Sequence, residues 1–373
     1  MSNASLIAVV FNEPTMQTAQ GRMYVSDMIK LDALAPMAQI ISSMPEGSVD
    51  MSEVGVIEAR EQVETALREE GFTTTLFNIN GDLNRLITFL TETKPRLIFN
   101  LCEGVRNQAI HEMHIAGIFE LMGIPYTGAG AFALGTCLNK VRSKEVFAYH
   151  GIPTARFAMA ESAADVDACA AGLHFPLIVK PSKEDASIGI ENNSVVRDLA
   201  SLKAKVEHVV RSFNQPALIE EFIEGRELNI AIMGYEDPVI LPISEIDFSG
   251  LPEDYPKIVT YNAKWVEGTR EYDGTIGTCP ANLDPAVEQR VREVALRAYQ
   301  VMEIRDYGRV DIRLTDDGTP YVLEVNPNPD LSDDAGFARS ARTHGLTHAG
   351  MIAAIVKHAL ARTAKPAHAH PSI

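Results

Sequence analysis

The chain has 373 residues, 46% of them hydrophobic, enough for two or three packed units. Its formal charge of −17 argues against nucleic acid or an anionic membrane as the main partner, because both require basic surfaces. Any anion site must therefore be built locally. Cys102, Cys137, Cys169 and Cys279 stand far apart with no CxxC pattern, as in a cytoplasmic protein with reduced thiols. No apolar run reaches the roughly 18 residues of a membrane span, and no charged-then-apolar leader opens the chain.

In chain order, "SLIAVVFNEP" is a buried strand closed by a turn, and residues 56–70 carry apolar residues at helical spacing with Gly71 as a stop. "TTTLFNI" and "RLIFNL" are further strands. "AIHEMHIAGIFELMG" is a helix ended by Gly123. Strand and helix alternate as in an open α/β sheet. His111 and His114 are one residue short of the HExxH zinc spacing and read as an exposed helix face. The phrase Gly-Ile-Pro at 123 and 151 twice leads from a helix into an extended segment, near a domain boundary.

"FPLIVKPSKEDASIGI" (175–190) delivers Lys180 at a strand end, followed by a loop with Ser182, Ser187 and Gly189. Lysine, hydroxyls and loop amides can reach phosphate oxygens, although GxxxxGK is absent; a plain lysine at a strand edge is the other reading. "ALIEEFIEGRELNIAIMG" (217–234) brings Glu220, Glu221, Glu224 and Glu227 together around a turn, where carboxylates and exposed backbone can read an adenine edge and ribose hydroxyls.

"YGRVDIRLTDDGTPYVLEVNPNPD" is a hairpin around Asp-Asp-Gly. On its second strand Glu324 and Asn326 share one face while Leu323 and Val325 take the other. Pairing adds Asp311 and Arg309 to the Glu324 face. Carboxylate and amide oxygens side by side suit a hard divalent cation, or form a satisfied polar pair at a strand end.

These blocks, with "FNLCEG", "GIPYTGAG" and "LNK" (138–140), resemble the ATP-grasp superfamily and within it the D-alanine–D-alanine ligase family. The resemblance implies an α/β (α+β) fold of three domains. An N-terminal open sheet (1–125) precedes two α+β subdomains (126–216 and 217–362) that clasp ATP, with a lid loop at 248–280 and a flexible tail at 363–373. It implies that Lys140 and Lys180 hold ATP phosphates, that Glu220, Glu221 and the backbone near Ile223 face adenine, and that Glu227 binds ribose. Asp311, Glu324 and Asn326 would hold Mg²⁺ or Mn²⁺. Arg309, Lys264 and Ser187 would act at the reacting groups. The implied activity is ATP-dependent joining of a small-molecule carboxylate to an amine through an acyl phosphate, in a possible homodimer.

The substrate half departs from the family. "FNEPTMQTAQGR" replaces a Gly-Gly-x-Ser turn, leaving Glu13 as the amine-binding candidate. Cys102-Glu103-Gly104 replaces a His-Gly motif, Ala186 stands before Ser187 in place of a serine, Trp265 replaces a lid tyrosine and Asp330 a glycine. A carboxylate at Asp330 would repel an acceptor carboxylate and favour a cationic acceptor. The alternatives are a D-alanine–D-alanine ligase with an unusual pocket, a kinase that stops at a phosphorylated product, and a nucleotide-binding module without catalysis.

Overall fold

The computed structural model describes residues 6–13, 15–18, 21–24, 51–105 and 108–363. The tail expected at 363–373 lies, but for Thr363, outside them. The first sheet is parallel, in the order β4-β1-β5, from β1 (Leu6–Phe11), β4 (Thr73–Asn78) and β5 (Leu97–Leu101). Between β1 and β4 lie an antiparallel ribbon, β2 (Thr15–Thr18) with β3 (Gly21–Tyr24), and helix α1 (Met51–Glu69). Both faces of β1 are covered, as parallel strands require. Ile7, Val9 and Phe11 pack in the core that contains α1, while Ala8 and Val10 face Leu86 and Leu90 of α2 (Leu83–Thr93) and Phe119 of α3 (His111–Leu121).

Each Gly-Ile-Pro phrase ends a helix in the same way. Gly123 (φ +67°) follows α3, and Gly151 (φ +63°) follows α5 (Lys140–Tyr149), itself preceded by α4 (Ala131–Leu138). Glycine accepts the left-handed conformation that closes a helix C-terminus. The Ile124 N–H then donates to the Phe119 carbonyl at 3.0 Å and the Ile152 N–H to that of Phe147 at 2.9 Å. Each phrase next makes a single parallel bridge, Tyr126 to Ile98 and Thr154 to Val322.

The second sheet runs β6-β9-β7-β8, from β6 (Phe157–Ala160), β7 (Leu177–Pro181), β8 (Val195–Val196) and β9 (Ala217–Glu221). α6 (Val166–Cys169) follows β6, and α7 (Leu199–Phe213) covers one face with Leu202, Val206 and Val209. Because β9 pairs with β6 and β7, the change of sheet falls after Glu221 and not at 216/217. The third sheet runs β13-β12-β10-β14-β15, from β10 (Arg226–Met233), β12 (Ser244–Asp247), β13 (Ile276–Thr278), β14 (Tyr307–Leu314) and β15 (Pro320–Asn326), with β11 (Val239–Ile240) on β10. α10 (Pro285–Val301) packs on one face, and α11 (Gly336–His344) and α12 (His348–Thr363) close the chain, α12 sharing the core of α1.

Residues 248–280, expected to be a loop, carry α8 (Tyr261–Trp265), α9 (Arg270–Asp273) and β13. Glycine and proline made the stretch read as irregular. Burial of Phe248, Ile258 and Ala263 and pairing of β13 with β12 hold it to the sheet instead. No helix among the described residues is long and apolar enough to cross a membrane, and all four cysteines are free thiols.

Asp306, fully buried just before β14, ties three parts of the chain together. It accepts from Arg362 of α12 (Nη2 2.9 Å, Nε 3.2 Å) and from the Gly128 N–H at 3.0 Å. Breaking a buried pair from one side leaves a charge unmatched. Asp306→Ala is expected to lose about 3–5 kcal/mol of stability, read as a lower urea midpoint.

Candidate active site

A cleft of about 780 Å³ lies between the second and third sheets; of the residues expected to bind ATP, metal or substrate or to act at the reacting groups, all but Glu13 and Glu103 line it, whereas Ser182, Gly189 and Glu224 do not. Glu103 lines an adjoining cavity of about 100 Å³ that shares Lys140, Arg309 and Glu324 with the cleft. Glu13 borders neither. It is buried against Arg60 at 3.2 Å and Asn78, so its carboxylate is committed within the first unit.

The floor of the cleft is the hairpin β14–β15. Its register sets Arg309 opposite Asn326 and Asp311 opposite Glu324, as the period of two predicts. Leu323 does not follow that alternation. A bulge between Asp311 and Ile312 leaves it extra on β15, and it lines the cleft beside Glu324. Asp311 accepts two bonds from Arg309 (2.7 and 2.8 Å), one from Asn229 (2.8 Å) and one from the Asn326 amide (2.8 Å). Glu324 accepts from Lys140 at 2.6 Å. Burial alone would raise the Glu324 carboxyl, but Lys140 outweighs it and holds the group down at about 2. These are hard oxygen donors on one face, and the Asn326 amide, by donating its N–H to Asp311, turns its carbonyl oxygen away from that carboxylate. The set fits a hard divalent ion such as Mg²⁺ or Mn²⁺.

The wall from the second sheet carries Lys180 and Glu220, the buried faces of β7 and β9 having been spent on Leu177, Val179 and Ile219. Glu220 is paired with Lys180 at 2.9 Å and with Lys144, so its oxygens are committed to two cations. Burial would raise its carboxyl, yet the two lysines hold it at about 2. The Glu221 side chain turns to His174 (2.8 Å) and Arg156 (3.5 Å). Ile223, by contrast, makes no backbone hydrogen bond among the described residues, so its N–H and C=O are available at the cleft. Glu227 lies directly opposite Arg313 in the β10–β14 register and pairs with it at 3.1 Å. Burial pushes the Glu227 carboxyl up against the pull of Arg313.

α8 brings Lys264 and Trp265 to the cleft. The Lys264 ammonium sits 4.8 Å from the Trp265 ring, and burial pushes it below its ordinary value. Trp265 Nε1 donates to the Ala186 carbonyl at 2.8 Å, linking α8 to the loop where Ala186 and Ser187 adopt φ of +50° and +62°. Asp330 accepts from the Ser332 N–H (2.9 Å) and hydroxyl (2.7 Å) through one oxygen. Half of the carboxylate expected to face substrate is therefore a turn cap.

Lys144, Asn229, Arg313 and Arg339 line or support this site and were not singled out in the sequence. Lys144 stands four residues after Lys140, the spacing that puts both on one helix face, and Arg313 stands two after Asp311. Arg339 had no such signal. It lines the cleft from α11 with its guanidinium over Gly277 of β13, where any side chain would collide with it. Among the described residues no carboxylate comes within 4.0 Å of it, although Asp334 acts on it electrostatically.

The family model for the D-Ala–D-Ala ligase C-terminus matches residues 146–357. The chain belongs to the D-alanine–D-alanine ligase family. It is 32% identical over 307 residues to the uncharacterized protein y4sG of Sinorhizobium fredii, covering 79% of this chain and 85% of that protein. It is 33% identical over 243 residues to the D-alanine–D-alanine ligase of Cupriavidus necator, covering 65% and 70%. In fold it matches the D-alanine–D-alanine ligase of Bacillus anthracis complexed with ATP, with a TM-score of 0.71 at 20% identity over 97% of this chain and 99% of that one. The architecture is the ATP-grasp fold expected from the sequence.

Glu220 ties acid stability to the site. Its carboxyl titrates at about 2 in the folded chain against an ordinary 4.5, so the stability it contributes is complete above 4.5 and lost as pH falls toward 2. The gap in urea midpoint between the wild type and Glu220→Gln is expected to stay constant above pH 4.5 and to close steadily below it.

Proposed function

We propose that this chain is an ATP-dependent ligase that joins a carboxylate, of an amino acid or small peptide, to an amine, releasing ADP and phosphate. The observation that carries this reading is that one cleft gathers Lys140 and Lys180 with the oxygen set of Asp311, Glu324 and Asn326, and that Arg309 stands opposite Asn326 in register and pairs with Asp311. Phosphoryl transfer needs chiefly positioning and charge neutralisation, and these groups can supply both.

In this reading Lys180 and Lys140 hold phosphate oxygens, Ile223 offers backbone to the adenine edge, and Glu227 stands at the ribose. A divalent ion held by Asp311, Glu324 and Asn326 would neutralise phosphate charge when bound. Arg309, released from Asp311, orients the carboxylate that receives the γ-phosphoryl group. Lys264 and Ser187 close over the reacting end, and α8, latched through Trp265 to Ala186, keeps water from the acyl phosphate until the amine attacks.

The pocket departures favour substrates other than two D-alanines. Glu13 is tied to Arg60, and Asp330 is partly tied to Ser332. Arg339 adds a guanidinium to the same wall, with Asp334 near it but no protein carboxylate within 4.0 Å among the described residues, which suits a substrate carrying its own carboxylate. That supports an amino-acid substrate over the cationic acceptor suggested by Asp330 alone.

The deciding experiment is ADP and phosphate release with Mg·ATP across a matrix of D- and L-amino acids, dipeptides and polyamines, with mass spectrometry of each product. Turnover with D-alanine alone would make the chain a D-alanine–D-alanine ligase. A stable phosphorylated product would make it a kinase, and nucleotide binding without turnover on any pair would sink the ligase reading. On the active pair, Glu324→Ala is expected to lower kcat/KM by more than about 100-fold; normal turnover would remove Glu324 from the metal set. Arg339→Ala is expected to raise KM for the carboxylate-bearing substrate by roughly 10-fold or more, the worth of one charge-assisted hydrogen bond, and to leave KM for ATP unchanged.

A further inference from the structure

Lys144 is among the most deeply buried cations of the described chain, its side chain 1% exposed, and the reaction outlined above gives it nothing to do. It sits one helical turn after Lys140 on α5. Its ammonium pairs with Glu220 and donates to Thr154 Oγ1 at 2.7 Å, and the Thr154 hydroxyl donates on to the Val322 carbonyl of β15 at 2.8 Å. The second oxygen of Glu220 takes Lys180 at 2.9 Å. One buried carboxylate thus stands between two lysines, of which only Lys180 reaches the cleft.

The inference rests on the reading that Lys180 holds a nucleotide phosphate. To turn toward a phosphate oxygen, Lys180 must loosen its hold on Glu220. A carboxylate 2% exposed and left without a cation is costly, so that release would be opposed if Glu220 had no second partner. Lys144 supplies the second partner, fixed from behind by Thr154. With both lysines and the carboxylate ionised, the trio carries one net positive charge; without Lys144, Lys180 and Glu220 would cancel each other and offer a polyanion little field. We propose that Lys144 is a positioning residue that keeps Glu220 satisfied and thereby frees Lys180 for the phosphates of the nucleotide.

A purely structural role for Lys144, joining α5 to β9 and β15, would lower stability and affect all ligands of the cleft alike. The proposed role acts on phosphate alone. The test is the ratio of affinities for ADP and adenosine, measured with Mg²⁺ present by calorimetry or ligand-observed NMR. In Lys144→Met this ratio is expected to fall by about 10-fold or more, since release of Lys180 would then strand a buried charge. In the double variant Lys144→Met/Glu220→Gln it is expected to return to within about 3-fold of the wild type, because an amide leaves Lys180 uncompensated. An unchanged ratio in Lys144→Met, or no recovery in the double variant, overturns the proposal. Should Lys144→Met fail to fold, the double variant, with no buried carboxylate left to strand, carries the test: a ratio well below the wild type overturns it. A wild type that binds neither ligand overturns the nucleotide reading itself.

Discussion

The cleft is spanned by one short helix. Lys140 and Lys144, one turn apart on α5, reach carboxylates on two different sheets, Glu324 of β15 and Glu220 of β9. Both bonds are charge-assisted; the Lys144–Glu220 pair is fully buried, while the Lys140–Glu324 pair opens onto the cleft. They tie α5 to both sheets. The helix is fixed at its start by the Asn139 side chain, which accepts from the Arg142 N–H, and by the Lys140 N–H, which donates to the Ser182 carbonyl. At its end Gly151 turns the chain so that Thr154 meets β15. Ten residues therefore position the lysines, the phosphate-side loop and the hairpin floor together.

The same arrangement explains how a chain of net charge −17 can offer a site to a polyanion. Its cations are stored on internal carboxylates, Lys140 on Glu324, Arg309 on Asp311 and Lys180 on Glu220. In the proposed function each exchange is balanced. A divalent cation and a triphosphate entering together offer Glu324 and Asp311 a new cation and offer Lys140 and Arg309 a new anion. No buried charge is left alone at either stage, and Lys144 extends the same rule to Glu220.

Local pattern carried the hairpin well, because strand period and an Asp-Asp-Gly turn together fix the register of Asp311, Glu324 and Arg309. It failed at Leu323, where a bulge adds a residue that no alternation rule can foresee. The two Gly-Ile-Pro phrases were legible for the same local reason, one conformation demanded of glycine. Partners from distant segments were not legible. Glu220 and Glu227 read as ligand-facing carboxylates, and their lysine and arginine partners appear only when β9 meets α5 and β10 meets β14. The stretch 248–280 was misread because composition reports glycine and proline but not strand β12, along which β13 adds as the edge strand.

The family match covers residues 146–357, which leaves out Glu13, Glu103 and Lys140 and takes in Trp265 and Asp330. Groups expected to face nucleotide and groups expected to face substrate still answer to different chemistry. Phosphate, metal and ribose present the same charges and geometry whatever is being joined, so the groups that meet them have little latitude. An amino acid or peptide is distinguished by one ammonium, one carboxylate and a side chain, each recognised by a few side chains at the rim. In the proposed function, the tie of Asp330 to Ser332, the Trp265–Ala186 bond and the Arg339 guanidinium at the cleft would alter that recognition while leaving the hairpin and α5 in place. In the proposed function, substrate choice would thus be separable from phosphoryl chemistry and would lie with α8, the loop after β15 and the first turn of α11.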